Sequence, residues 1–507
     1  MILSLRESFL LILLFVVWFC PSGELVAQDS QPENLGRHIN TSDVEILPVI
    51  SADGRTLFFC RRSHSDPGDI FFSTRNPDGS WAPAQSIGAP LNNSHANFVC
   101  SASPDGKTLL LGNVYTQNGS LKPGVSITRR SDSGWSFPEP LLIRNYYNHS
   151  AFSAFYLAGD ETTLLMSLQR DDTHGETDLY VNFRQGDGTW SEPRNLGLQI
   201  NTYADETTPF LASDGVSLYF SSKGHRGFGS NDVFVAKRLD ESWQRWSAPA
   251  NLGPGVNSSG WDAYYTIPAS GDFAYFVSEK NSYGREDIFR IRIPDSLRPA
   301  PVVLITGRVL QSGTQVPLGA TIYYETLPEG RLAGTARSDA KTGEYSIILP
   351  AGKKYGFRAE AENFVSVSQN LDLVNFNAYR EISRDLMLVP VSAGQSARLN
   401  NIFFDSGRAE LRDESSPELE RLLALMKKFP AMELEIAGHT DDVGTPSENL
   451  RLSRERAEAV AQFLYRNGID PARIRVRGYG QTRPLVKNSS EEHRAQNRRV
   501  EFTILKK

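Results

Sequence analysis

The sequence repeats itself, and the period limits what it can fold into. An Asp-centred turn signal recurs as Ser51-Ala52-Asp53-Gly54, Ser103-Pro104-Asp105-Gly106, Ala158-Gly159-Asp160-Glu161, Ser213-Asp214-Gly215 and Ser270-Gly271-Asp272, with the aspartates 52, 55, 54 and 58 residues apart. An apolar, β-prone run follows each turn, as in Thr56-Leu57-Phe58-Phe59 and Ser217-Leu218-Tyr219-Phe220. Strand, tight turn, strand is the hairpin signature. A third run follows after a loop, at Asp69-Ile70-Phe71-Phe72, Val125-Ser126-Ile127, Asp178-Leu179-Tyr180-Val181, Asp232-Val233-Phe234-Val235 and Asp287-Ile288-Phe289-Arg290. Trp81, Trp135, Trp190 and Trp246 then lead into a Pro-containing segment. One such unit cannot bury its own apolar face, so the units must pack on one another. The turn aspartates read as residues that bond their own backbone rather than as ion ligands.

Four short strands per unit is the blade of a β-propeller. Residues 34–295 are therefore expected to form an all-β propeller of five blades, or six if one unit is degenerate. The fifth unit lacks the Trp and Gly tail, because Pro294 and Pro299 interrupt it. The missing piece stands at the other end, where Asn34-Leu35-Gly36-Arg37-His38-Ile39-Asn40-Thr41 echoes Asn195-Leu196-Gly197-Leu198-Gln199-Ile200-Asn201-Thr202. That N-terminal segment is expected to supply the outer strand of the last blade, closing the ring and removing open edges. The turns, and the loop Ser222-Lys223-Gly224-His225-Arg226-Gly227-Phe228-Gly229 with Asn231-Asp232, resemble those of TolB-like and WD-repeat-like propellers. That resemblance implies a fold; function sits in sites grafted on it.

A chain of 507 residues exceeds what one hydrophobic core supports, so several domains are expected. Residues 1–27 show Arg6, an apolar run from Phe9 to Cys20, Pro21, Gly23 and small Ala27, the anatomy of a secretory signal peptide. The run is too short to span a bilayer. Cys20 invites a lipoprotein reading, against which bulky Trp18 and Phe19 stand. Cys60 and Cys100 sit in apolar strand-like runs and read as two small buried hydrophobes rather than a disulfide scaffold. A net charge of -6 gives no global reason to bind nucleic acid, and none is expected as a partner.

After the Pro-rich junction, residues 300–390 alternate as strands at Val302 to Val309, Ala320 to Tyr324 and Gly343 to Pro350, which suits a small β-sandwich. The order Thr306-Gly307-Arg308-Val309, Pro317-Leu318, Thr342-Gly343-Glu344-Tyr345 and Leu349-Pro350-Ala351-Gly352 resembles the carboxypeptidase regulatory-like, transthyretin-like domain, which implies an accessory module.

Residues 398–507 read as an α+β unit. Ile402-Phe403-Phe404 is expected to be a strand, and Ser415-Ser416-Pro417-Glu418 to cap a helix with Leu419, Leu422, Leu423 and Met426 on one face. Met432, Leu434 and Ile436 alternate as a strand running into Gly438-His439-Thr440-Asp441-Asp442-Val443-Gly444, and a second helix buries Leu450, Ala457, Val460, Ala461 and Leu464. Strands at Ile474 to Val476 and Val500 to Ile504 complete the unit.

The run Gly438-His439-Thr440-Asp441, with Phe404-Asp405, Gly444, Asn449, Leu452-Ser453, Arg456-Ala457, Gly478-Tyr479-Gly480, Pro484 and Asn497-Arg498-Arg499-Val500-Glu501, resembles the OmpA-like peptidoglycan-binding domain. It departs in Asp442, where that family commonly has Asn. The resemblance implies binding of diaminopimelate in the peptidoglycan stem peptide, whose free end carries an ammonium and a carboxylate on one carbon. By that similarity Asp441 takes the ammonium and Arg456 holds the carboxylate in a bidentate fork. Thr440 and Asp442 would add contacts, and Asn449 and Arg498 would brace or line the site. This segment holds 20 Lys and Arg against 17 Asp and Glu, a net +3 within an acidic chain.

An enzyme is disfavoured. No nucleophile elbow, His-Glu-x-x-His motif or phosphate-binding Gly loop occurs, and His439 lies in the wall-binding motif as a loop brace. No catalytic residue, metal or cofactor is expected. The expectation is a non-catalytic scaffold in the periplasm of a Gram-negative bacterium, at the outer membrane and cell wall, with the propeller presenting a surface to outer-membrane or secretion-system proteins. The module order resembles the peptidoglycan-associated component of type IX secretion machinery, which also carries helical repeats that this sequence does not show. The alternative is a wall-tethered receptor whose propeller binds a small molecule or glycan in its central channel.

Overall fold

The computed structural model describes residues 31–507 apart from 132, 366 and 367. The signal-peptide reading of residues 1–27, with Cys20, lies outside the described residues. Among the described residues no helix is long and apolar enough to cross a membrane.

Each repeat folds into its own antiparallel sheet, so residues 33–293 form five sheets in chain order. In the fourth, Glu206–Leu211, Ser217–Ser222, Asp232–Lys237 and Ala250–Asn251 pair in sequence, and the first and third follow the same order. The first strands of neighbouring sheets lie side by side: Val44–Ile50 against Val99–Ala102, that against Ala154–Leu157, and that against Glu206–Leu211. Phe273–Ser278 of the fifth sheet returns to Val44–Ile50 of the first. Apolar side chains fill the gaps between sheets. Between the fifth and the first these are Ile39, Leu57, Phe59, Trp81, Tyr275 and Ile288, each contributing about 1.5–3 kcal/mol on burial.

The tryptophans that close the repeats make antiparallel bridges across the turn after the third strand, Arg75 to Trp81, Arg184 to Trp190 and Arg238 to Trp246. In four of the five Asp-centred turns the carboxylate accepts a backbone N–H two residues on, from Arg55, Lys107, Thr162 and Val216. Where the other turns carry glycine, the third has Glu161 at φ +54°.

The fifth sheet takes its outer strand from the far end of the chain. Glu33 pairs with Arg290 and Asn34 with Phe289. The echoed asparagines explain the repeated tail: Asn201 bridges the N–H and C=O of Leu179 and donates to Asn195 Oδ1. Asn40 makes the same three bonds to Ile288 and Asn34. Cys60 and Cys100 are unpaired; Cys60 is buried, whereas Cys100 is only partly so.

Residues 302–390 form two sheets, one centred on Val302–Gln311 and the other on Thr321–Leu327 with Lys354–Glu360. They enclose one core that includes Ile305, Tyr324, Ile347 and Phe357. This unit lies against the Asp-centred turns: Thr335 N–H donates to Asp160 O, and Ala300 N–H to Asp214 Oδ2.

The C-terminal segment is a four-stranded sheet in the order Ser396–Leu399, Arg499–Lys506, Glu433–His439, Ile474–Gly480. It packs on helices α1 (Ser416–Lys428) and α2 (Pro446–Arg466). Three local expectations are corrected. Ile402-Phe403-Phe404 is not a strand, because loop contacts use its backbone: Phe403 N–H donates to Ser415 Oγ and its carbonyl accepts from Arg412. The Ser415 hydroxyl is thereby occupied and makes no cap bond to α1. The full capping box stands on α2 instead, between Thr445 and Glu448. Leu450 is 52% exposed and outside the buried stripe of α2, which begins with Asn449, Ser453 and Arg456 before Ala457, Val460, Ala461 and Leu464.

Candidate functional site

The inner face of α2 lies directly on the two parallel strands. A Cβ on Gly438 would sit 1.9 Å from Ser453 O, and one on Gly478 would sit 2.6 Å from Arg454 N. Only glycine permits this approach. It brings the polar start of α2 against the loop that leaves Glu433–His439, so Thr440, Asp441, Asn449 and Arg456 are all buried, between 4% and 8% exposed.

Thr440 N–H donates to Gly480 O, and its hydroxyl donates to the Asp441 carbonyl at 2.9 Å. Asn449 holds the loop by donating to the same carbonyl at 3.3 Å and to Gln481 Oε1 at 2.7 Å. The Asp441 carboxylate accepts from Val443 N–H through Oδ1 at 3.1 Å. Through Oδ2 it accepts from Arg498 Nη1 at 2.7 Å. Arg498 carries a second carboxylate, Glu491, also at 2.7 Å, and these bonds raise its pKa.

Arg456 is fixed from its inner side. Its Nε donates to Arg408 O at 2.9 Å and its Nη2 to Asp405 O at 3.4 Å, while the guanidinium lies 4.9 Å from the centre of the Phe404 ring. Its Nη1 makes no bond within the described residues. Burial lowers the Arg456 pKa, the nearby Arg498 charge lowers it further, and Asp441 opposes both. Asp441, Arg456 and Arg498 thus share one electrostatic neighbourhood, yet Asp441 pairs with Arg498 and not with Arg456. Asp442 is exposed.

His439 is buried beside this group, bonded to Glu501 at 3.0 Å and stacked on Tyr479. Sequence reasoning missed the carbonyls of Asp405 and Arg408, the ring of Phe404 as a platform, and Gln481. Phe404-Asp405 and the Gly478-Tyr479-Gly480 run that precedes Gln481 were their only signals. Among the described residues no group of three His, Cys, Asp or Glu side chains could hold a metal ion.

The OmpA family model matches residues 403–498. This segment is an OmpA family domain. It is 40% identical over 105 residues to the probable lipoprotein YiaD of Escherichia coli (strain K12), covering 21% of this chain and 48% of that protein. It is 33% identical over 104 residues to the peptidoglycan-associated lipoprotein of Pseudomonas aeruginosa, covering 20% and 61%. The solved peptidoglycan-associated lipoprotein from Burkholderia pseudomallei is 30% identical, covering 20% of this chain and 87% of that one at a TM-score of 0.20. The match therefore spans less than two thirds of either curated relative, and the OmpA family domain accounts for about a fifth of this chain.

Proposed function

We propose that this chain is a non-catalytic cell-envelope scaffold that grips peptidoglycan through its OmpA family domain. The observation that carries the reading is one buried neighbourhood holding an anion, Asp441, and a cation, Arg456, that is braced from behind and keeps one free edge. A diaminopimelate end would set its ammonium on Asp441 and its carboxylate on the free edge of Arg456, with Arg498 beside both. Thr440 and Asn449 hold the loop, and exposed Asp442 contributes from the rim. The name of the Pseudomonas aeruginosa relative, a peptidoglycan-associated lipoprotein, supports peptidoglycan as the partner, and the chain acts in the periplasm at the outer membrane of a Gram-negative bacterium.

The five sheets are the blades of a β-propeller over residues 34–295, supported by the return of the fifth sheet to the first and by the N-terminal strand on its edge. Residues 300–390 are a carboxypeptidase regulatory-like sandwich that joins it to the wall-binding domain at 398–507. The propeller presents its surface to outer-membrane or secretion proteins.

The test is sedimentation of the full chain with purified peptidoglycan sacculi. Each charge-assisted bond is worth about 1.5–3 kcal/mol, so Asp441→Ala or Arg456→Ala should weaken binding by roughly 10- to 100-fold. Undiminished sedimentation of both variants would sink the site.

A further inference from the structure

The first strands of four sheets and residues 261–266 surround a cavity of about 690 Å³, within the range of sites that hold drug-sized ligands. Its wall comes from every repeat, with Leu47, Cys100, Tyr156, Thr208 and Tyr264 among the lining residues. None of the Asp-centred turns lines it. Those turns face the second unit, where Thr335 meets Asp160, Ala300 meets Asp214 and Lys107 pairs with Asp339. The cavity therefore belongs to the opposite end of the ring, and its lining reaches the loops there. Phe152, 81% exposed, and Trp261, 45% exposed, stand among those loop residues.

Two further features shape the wall. Leu47, Thr208 and Tyr264 occupy the same position in their repeats, two residues after a buried Glu45, Glu206 or Asp262. All three take left-handed backbone, with φ of +55°, +46° and +62°. In the first and fourth sheets the register slips at this point, between Ile46 and Val49 and between Thr207 and Phe210. Such bulges re-aim side chains beside binding sites, and left-handed non-glycine residues gather where a site fixes them. Charge is sparse on the wall. Its charged residues are Arg62, which pairs with Glu286 at 3.3 Å, and Asp205, which accepts the Thr177 hydroxyl at 2.9 Å. A ligand anion would lose water there without a free counter-charge, since Arg62 is already paired and Asp205 would repel it. Its hydroxyls are mixed: Ser167 donates to Glu206 O at 2.7 Å, whereas the buried Thr207 Oγ1 has no partner among the described residues.

We infer that the cavity binds a ligand without negative charge that has an aromatic or branched aliphatic body, entering past Phe152 and Trp261 at the end away from the second unit. The site is independent of the wall-binding reading.

The test is titration of the full chain with the neutral fluorophore N-phenyl-1-naphthylamine, with anionic 1-anilinonaphthalene-8-sulfonate alongside. One saturable site per chain is expected, at least tenfold tighter for the neutral probe. Ala154→Trp, which fills the wall, should weaken neutral-probe binding at least tenfold while the melting midpoint holds. If that variant does not fold, Ala96→Trp at the exposed rim takes its place with the same expectation. Absence of saturable binding, binding unmoved by the folded plug variant, or equal affinity for the anionic probe would overturn the inference.

Discussion

The N-terminal strand is held on the fifth sheet by few bonds, and Asn40 is the one to break. It is fully buried; its amide accepts from Ile288 N–H at 3.0 Å and donates to Ile288 O and Asn34 Oδ1, both at 2.9 Å. In Asn40→Ala the Ile288 carbonyl keeps a partner in Leu35 N–H, but the Ile288 N–H is left buried and unpaired. Stranding that donor costs about 1–3 kcal/mol, and the lost bonds bring the total to about 2–4 kcal/mol. Asn201→Ala is the matched control, since it breaks the same three bonds, two of them across 22 residues instead of 248. Both variants should lower the melting midpoint. Only Asn40→Ala should free the N-terminal strand, so hydrogen exchange over Asp287–Arg292 should accelerate by roughly 30- to 1000-fold, the equivalent of 2–4 kcal/mol in local opening. In Asn201→Ala the acceleration should stay within Asp178–Phe183. Less than a tenfold change over Asp287–Arg292 in Asn40→Ala would refute the role of Asn40 in holding the N-terminal strand.

Two further outcomes follow from the C-terminal domain. Burial would raise the Glu501 carboxyl, but the hydrogen bond from His439 and the charge of Arg499 outweigh it and hold it at about 2, against an ordinary 4.5. A depressed carboxyl stabilises above its unfolded value and loses that stability as pH falls from about 4.5 towards 2, by about 2–3 kcal/mol given its partial exposure. Glu501→Gln should flatten the acid limb of the melting profile in that window, and an unchanged slope would contradict the assignment. Arg456→Lys keeps the charge but not the fork, so calorimetric titration with a diaminopimelate-containing tripeptide should show binding about tenfold weaker or worse at unchanged helix content. Equal affinity would mean that Arg456 acts as a plain charge.

The repeats were legible because tight turns and short strands constrain residue type locally. The Asp-centred turns and the runs after them stand where the spacing put them, and even the echo of Asn34 to Asn40 in Asn195 to Asn201 was visible as text. Its cause was not, since the asparagine amide bonds a strand 22 residues back in one sheet and 248 residues ahead in the other. Glu161 is similar: an acidic side chain at a repeat glycine gives no hint that burial holds its carboxyl up to about 7 among Arg129, Arg184 and Arg337.

The candidate site shows a sharper limit. Hydrophobic periodicity placed Leu450 in the buried stripe of α2, and the structure buries its neighbour Asn449. A stripe drawn from apolar residues assumes that the whole inner face meets apolar core, whereas here its first two turns meet a polar loop through the glycines at 438 and 478. Burying a guanidinium there is costly unless its donors are used. Arg456 is tolerated because two backbone carbonyls and an aromatic ring take its inner side, which still leaves one edge without a protein partner. Folding stability alone would favour an apolar residue at such a position. A helix face that turns from apolar to polar at constant depth, with one donor edge left over, is the pattern expected where a ligand completes the set.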